Sequence, residues 1–150
     1  MTDKATSIRI SIGSDHGGFE LKETLKAHLE TQGHTVIDEG CFDTQSVDYP
    51  DFADKVTTSI LSQKTELGVL VCGTGIGISI KANRNKGIRA ALVYDNLTAE
   101  MAKAHNNANV LCLGGRTTDT ETAKQLVDTW LTTAFEGDRH QRRLDKLDRS

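Results

Sequence analysis

Val71-Cys72-Gly73-Thr74-Gly75-Ile76-Gly77-Ile78 is the stretch of this sequence best suited to chemistry. An apolar run leads straight into three alternate glycines. Glycine lets a backbone approach a ligand closely and turn several N–H groups toward one point. A helix opening there adds partial positive charge. The result is a cradle for an anion, either a phosphate or the oxyanion that develops during a reaction. Cys72 stands at its lip. A free thiol titrates at about 8.5, and helix N–H groups lower that value by favouring the thiolate. A thiolate beside an oxyanion cradle serves as nucleophile or as general base, with the Thr74 hydroxyl available to orient the sulfur. The competing reading is a buried apolar cysteine at a structural turn. Two phosphate motifs fit the loop poorly. The glycines run G-x-G-x-G, one position short of the dinucleotide fingerprint, although Asp95 falls where a ribose-binding acid would stand. No Gly-Lys-Ser/Thr follows, which removes the P-loop.

Other groups are weaker taken singly. Asp15 and His16, before Gly17-Gly18, offer a carboxylate and an imidazole to sugar hydroxyls, or a helix cap and an exposed histidine. His105-Asn106-Asn107-Ala108-Asn109 places an imidazole at a helix C-terminus, where the dipole favours its charged form. It is either a proton shuttle or a C-cap followed by a left-handed asparagine turn. Arg139 and Arg143, four apart in Arg139-His140-Gln141-Arg142-Arg143, share a helix face, and guanidinium pairs suit phosphate oxygens. Arg116 is a further candidate. Asp138, Asp145 and Asp148 would neutralise this run if it were only a solvated face. Tyr49 could reach a sugar from the edge of a site. Cys41, Cys112, His28 and His34 read as structural or exposed.

These residues need a scaffold, and the hydrophobic pattern supplies one. Ile8-Arg9-Ile10-Ser11-Ile12 alternates like a strand and stops at Gly13. Leu21, Leu25 and Leu29 mark one face of a helix over about 19–32, ended by Gly33. Thr35 to Ile37 is a second strand. Pro50 suits a helix first turn, with Phe52, Val56 and Ile60 facing inward. Leu67 to Val71 is a strand covered on both faces, followed by a helix to about Asn83. Ile88 to Val93 and Val110 to Leu113 are further strands around a short helix from Thr98 to His105. Thr118 or Asp119 caps a helix whose inner face is Ala123, Leu126, Val127, Trp130, Leu131 and Ala134. A polar helix over about 138–146 completes the pattern. Its thin stripe, Leu144 and Leu147, leads us to expect that it packs against another subunit. Five strands alternating with helices predict an α/β fold with a doubly wound, Rossmann-like parallel sheet. Ligands then bind outside the carboxyl ends of the strands.

Composition sets the outer bounds. The chain has 150 residues, 37% of them hydrophobic and 26% charged, which predicts one domain over 1–150. The net charge of −3 gives no general attraction to nucleic acid or membrane. No apolar run approaches the roughly 20 residues a bilayer needs, and Met1-Thr2-Asp3-Lys4 lacks the apolar core of a signal peptide. Three cysteines without a C-x-x-C pair speak against a disulfide framework or structural zinc site. They favour a reducing cytoplasm.

Together the motifs resemble the type B ribose-5-phosphate isomerases, in the wider family that includes galactose-6-phosphate isomerase subunits. The resemblance spans about Ile8 to Arg143. It rests on Ser14-Asp15-His16-Gly17-Gly18-Phe19, Asp48-Tyr49-Pro50, Cys72 to Gly77, His105-Asn106, Asn109-Val110 and Arg139 to Arg143. It implies an aldose–ketose isomerase that needs no metal or other cofactor. It also implies a homodimer or dimer of dimers with sites shared between subunits. Cys72 would be the base between C1 and C2, assisted by Thr74, and the amides of Gly73, Thr74, Gly75, Ile76 and Gly77 would hold the enediolate. His105 would open the furanose ring. Asp15, His16, Tyr49 and Asn106 would line the sugar site, and Arg116, Arg139 and Arg143 would bind phosphate, some from the partner chain. Family members that lack the cysteine carry glutamate one turn later, where this chain has Ile76. The expected substrate is ribose 5-phosphate. The alternatives are allose or galactose 6-phosphate, or a non-catalytic nucleotide- or phosphate-binding module.

Overall fold

The computed structural model describes residues 6–149. Met1 to Lys4, read above for the absence of a signal peptide, lie outside them, as does part of the extension before Ile8. The chain runs β1 (Arg9–Ser14), α1 (Phe19–Thr31), β2 (Thr35–Asp38), α2 (Tyr49–Leu61), β3 (Leu67–Cys72), α3 (Ile76–Ala82), β4 (Ala90–Leu92), α4 (Asn96–Ala104), β5 (Val110–Gly114), α5 (Thr120–Thr132) and α6 (Arg139–Leu147). The five strands form one parallel sheet in the order β2-β1-β3-β5-β4, the doubly wound α/β architecture expected.

Alternation along the central strands splits the core in two. Val69 and Val71 of β3, with Leu111 and Leu113 of β5, face Leu21, Leu25 and Leu29 of α1 and Leu126 and Trp130 of α5. Leu70, Cys72, Val110 and Cys112 face the other way, onto Ala53 and Val56 of α2 and Ile78 and Ala82 of α3. Strands buried on both sides carry apolar residues at nearly every position, which is why β3 and β5 read as continuous runs. The Trp130 indole is fully buried, and its Nε1–H donates to the Ala108 carbonyl at 3.0 Å, fastening α5 to the turn before β5. The switch in winding falls between β1 and β3, so their C-terminal loops open a crevice at that edge.

Several boundaries differ from the sequence expectation, each for a local reason. β1 runs through Gly13 to Ser14, because Asp15 N–H still donates to the Val71 carbonyl. β4 keeps only three residues. Ile88 belongs to a turn after Gly87, whose φ is +91°, and Asp95 diverts the chain into α4. That helix starts two residues early because the Asp95 carboxylate caps it, accepting from Thr98 N–H at 2.8 Å in a capping box. Asp119, and not Thr118, caps α5, accepting from Thr122 N–H at 2.9 Å. Ala134 lies beyond α5 and is exposed, so it is no part of the inner face. Within α6, Leu144 and His140 are buried on the chain's own body and Leu147 is exposed. Docking of this helix therefore does not wait for a second subunit.

Candidate active site

Three loops converge where β1, β3 and β5 end. Gly115 N–H donates to the Cys72 carbonyl at 2.8 Å and Arg116 N–H to the Gly73 carbonyl at 2.9 Å. Small residues are required for this meeting. A Cβ on Gly115 would lie 2.6 Å from the Gly17 carbonyl oxygen, and one on Gly17 would lie 3.2 Å from the Gly73 nitrogen.

Cys72 is 5% exposed and ends β3 at this junction. Its Sγ accepts the Gly75 amide at 3.1 Å, made possible by Gly75 at φ +80° as N-cap of α3. The Thr74 hydroxyl accepts the Ile76 amide at 3.2 Å, so its own proton is free to donate into the cradle. No acceptor among the described residues takes the Gly73 or Thr74 amide. Cys112 lies on the same face of the neighbouring strand. Burial first, then the Cys72 sulfur, pushes its thiol far above the usual range. It remains a core thiol.

The rim carries the other expected groups. The Tyr49 ring, at the start of α2, covers Gly77, and a Cβ there would lie 2.8 Å from its hydroxyl oxygen. The Arg116 guanidinium folds over Gly73, 3.1 Å from where a Cβ would stand. Asp15 is buried and accepts the Gly18 amide through Oδ1 at 3.1 Å, so it supports the turn after β1. His16 Nδ1 accepts the Val47 amide at 3.1 Å, which leaves Nε2 to carry the proton of the neutral ring.

His105 and Asn106 are elsewhere. They follow α4 and precede β5, so they sit at the edge where strands begin. Asn109, at the end of the same loop, accepts Gly68 N–H at the start of β3. From Leu67 to Cys72 a strand rises roughly 16 Å, beyond the reach of a side chain. Arg139 and Arg143 lie at that far edge too, because α6 stacks His140 on His105 with ring centroids 4.0 Å apart. His105 is the C-cap of α4, and Asn107 is left-handed at φ +44°, as one reading of this loop expected. The residues expected at the site thus fall into two groups on opposite edges: Cys72, the cradle, Asp15, His16, Tyr49 and Arg116 on one, and His105, Asn106, Arg139 and Arg143 on the other. Two cavities of about 490 and 420 Å³ include neither Cys72 nor His105.

Sequence reasoning gave no role to Glu136 or to His140. Glu136 Oε1 lies 3.7 Å from His105 Nε2 and 3.4 Å from His140 Nε2. The only available signal was the four-residue spacing of Glu136 and His140, hidden by Gly137 and Asp138 between them. All three ligand atoms lie within 4.8 Å of one another. The rings, however, are stacked only 16° from parallel. One ion at the usual 2.0–2.1 Å does not fit in both ring planes at once. Asp95, the acid weighed for a dinucleotide ribose, is occupied by capping α4; its Thr98 hydrogen bonds hold the carboxyl below the usual range.

Comparison with known proteins identifies the family. A family model described as Ribose/Galactose Isomerase matches residues 10–147. Ribose-5-phosphate isomerase B of Escherichia coli (strain K12) is 42% identical over 139 residues, covering 93% of each chain. The crystal structure of a ribose 5-phosphate isomerase from Thermotoga maritima superposes with a TM-score of 0.93 at 52% identity, over 94% of this chain and 97% of that one. The Trypanosoma brucei type B ribose 5-phosphate isomerase structure gives a TM-score of 0.91 at 40% identity, over 95% and 98%. With the model spanning nearly every element and these relatives matched almost end to end, the chain belongs to the ribose/galactose isomerase family.

Proposed function

We propose that this chain interconverts D-ribose 5-phosphate and D-ribulose 5-phosphate, with Cys72 as the base. The observation that carries the reading is the Cys72 sulfur seated on the Gly73–Gly77 cradle with the Gly75 amide at 3.1 Å. As thiolate, Cys72 takes the proton from C2 of the open-chain aldose. The electron pair moves through C1=O onto O1, and the cradle amides receive that negative oxygen. The O2 proton passes to O1, and the thiol returns its proton to C1, which yields the ketose. No electrons leave the sugar, so the reaction calls for no redox cofactor, and the cradle amides supply the charge stabilisation at O1. His105 acts earlier. As imidazolium it gives a proton to the ring oxygen while the C1–O4 bond breaks and the O1 proton leaves to solvent.

The two groups make a complete site when a second copy of the chain brings its His105, Asn106, Arg139 and Arg143 to the cradle. The exposed apolar side chains Ile76 and Ile80, one turn apart on α3, with Tyr94 and Leu97 before and in α4, support such a homodimer, which could pair further. Remote phosphate binding by arginines then holds the sugar over the cysteine. Three free buried thiols fit a cytoplasmic setting.

Replacement of Cys72 by Ala tests the base. Isomerisation and solvent-deuterium incorporation should both fall by about 10²–10⁴-fold, and near-normal rates would remove Cys72 from the role. The family description also names galactose, so a panel of ribose, allose and galactose phosphates fixes the sugar. Preferred turnover of a 6-phosphorylated hexose would replace the pentose.

A further inference from the structure

His105 is held by two residues that the reaction above does not use. Its ring stacks on His140, which is 4% exposed and whose buried Nε2 makes no hydrogen bond. Glu136 Oε1 stands at ion-pair distance from both rings. The Glu136 amide donates to the Ala104 carbonyl at 2.9 Å, which fixes the carboxylate beside the end of α4. Two imidazolium rings stacked at 4.0 Å would repel one another. His140 is the ring disfavoured: burial first, then His105, Arg139 and Arg143, lower its affinity for a proton, and only Glu136 opposes them. His105 lies at the α4 C-terminus and faces the same carboxylate.

We propose that His140 and Glu136 are positioning residues for His105. The neutral His140 ring fixes the plane of the imidazole, and Glu136 holds its proton-donating form. The charged groups acting on His140 are Glu136 in the segment before α6 and Arg139 and Arg143 on α6, and Arg89 reaches the loop after His105 by donating to the Asn106 and Asn107 carbonyls. This inference rests on His105 opening the sugar ring, and the test separates the two.

Ribulose 5-phosphate has no furanose to open, because its O5 carries the phosphate. Exchange of its C1 hydrogen with solvent deuterium therefore needs Cys72 and not His105. His140→Ala should lower kcat for ribose 5-phosphate about tenfold, leave KM nearly unchanged, and spare deuterium exchange into ribulose 5-phosphate. His140→Phe, which keeps a stacking face, should restore most of the loss. It also keeps the test usable if the alanine variant fails to fold. Glu136→Gln should move the limb where the rate falls with rising pH to lower pH. Equal losses in turnover and exchange, or full turnover with an unmoved pH limb in the His140→Ala and Glu136→Gln variants, would overturn the proposal. If His105→Ala itself keeps full ribose 5-phosphate turnover, the ring-opening assignment fails first and takes this inference with it.

Discussion

Cys72 ends β3 and His105 lies just before β5 begins, so the two groups expected to share one substrate occupy opposite edges of the same parallel sheet. Complementation between inactive variants follows from this. Cys72→Ala and His105→Ala chains, each inactive on ribose 5-phosphate, should regain activity when unfolded, mixed and refolded together. A mixed dimer holds one site with both groups intact. Sedimentation of an active monomer, or no recovery on mixing, would contradict shared sites.

Phosphate binding can be read separately from chemistry. Arg139→Ala with Arg143→Ala should raise KM for the phosphorylated sugar far more than it lowers stability, because both side chains are exposed in the chain itself. An unchanged KM would remove them from the phosphate site.

The cradle depends on Gly75. At φ +80° a side chain costs about 1–2 kcal/mol, and a Cβ there would lie 2.6 Å from Leu92 Cδ1 and 3.0 Å from the Leu113 carbonyl carbon. Gly75→Ala should therefore lower the melting temperature and displace the amide from Cys72, reducing kcat more than KM. For Gly77→Ala the nearest atoms to the new Cβ all belong to the Tyr49 ring, 2.6 Å from Cζ. Tyr49 is partly exposed and can swing away. That variant should keep its stability and lose substrate affinity, as a thermal melt beside a Michaelis curve would show.

Acid stability should depend on a buried ion pair far from the cradle. The Lys22 ammonium is fully buried and meets Asp38 at 2.7 Å, with Lys26 at 3.5 Å from the same carboxylate. Burial of Asp38 raises its pKa, but the Lys22 hydrogen bond, the Gly40 amide and the charges of Lys22 and Lys26 outweigh it and hold the carboxyl below its usual value. A depressed folded pKa means that the stabilisation is complete above the unfolded value, about 3.9, and is lost as pH falls through the lower folded value. Asp38→Asn should flatten the acid limb of stability against pH in denaturant titrations. Lys22→Met should cost about 3 kcal/mol, the low end for breaking a buried pair, since Lys26 remains beside the carboxylate.

Thiol reactivity should be ordered by position. Cys112 has no exposure and a thiol pushed far up by burial, whereas Cys72, at the loop junction, keeps 5% exposure. Iodoacetamide should label Cys72 in the native protein, with inactivation in step and protection by ribose 5-phosphate. Cys112 should react only on unfolding. Mass spectrometry of the labelled peptides decides between them, and labelling of Cys112 first would refute the order.

The strand–helix alternation, the central strands and the glycine cradle were legible because each is a local consequence of residue type. β3 and β5 need apolar residues on both faces, Gly75 supplies a positive φ, and Leu21, Leu25 and Leu29 recur at the helical period. The ends of β4 and α4 were misplaced because Asp95 acts through a cap, which a hydrophobic period does not register. Which edge of the sheet receives His105, and that His140 packs on it beside Glu136, is settled only when α6 folds back across the α4–β5 turn. A residue sequence carries spacing along the chain, while distance across it follows from strand direction and helix docking. For that reason one line of motifs separates, in three dimensions, into two groups about a strand's length apart.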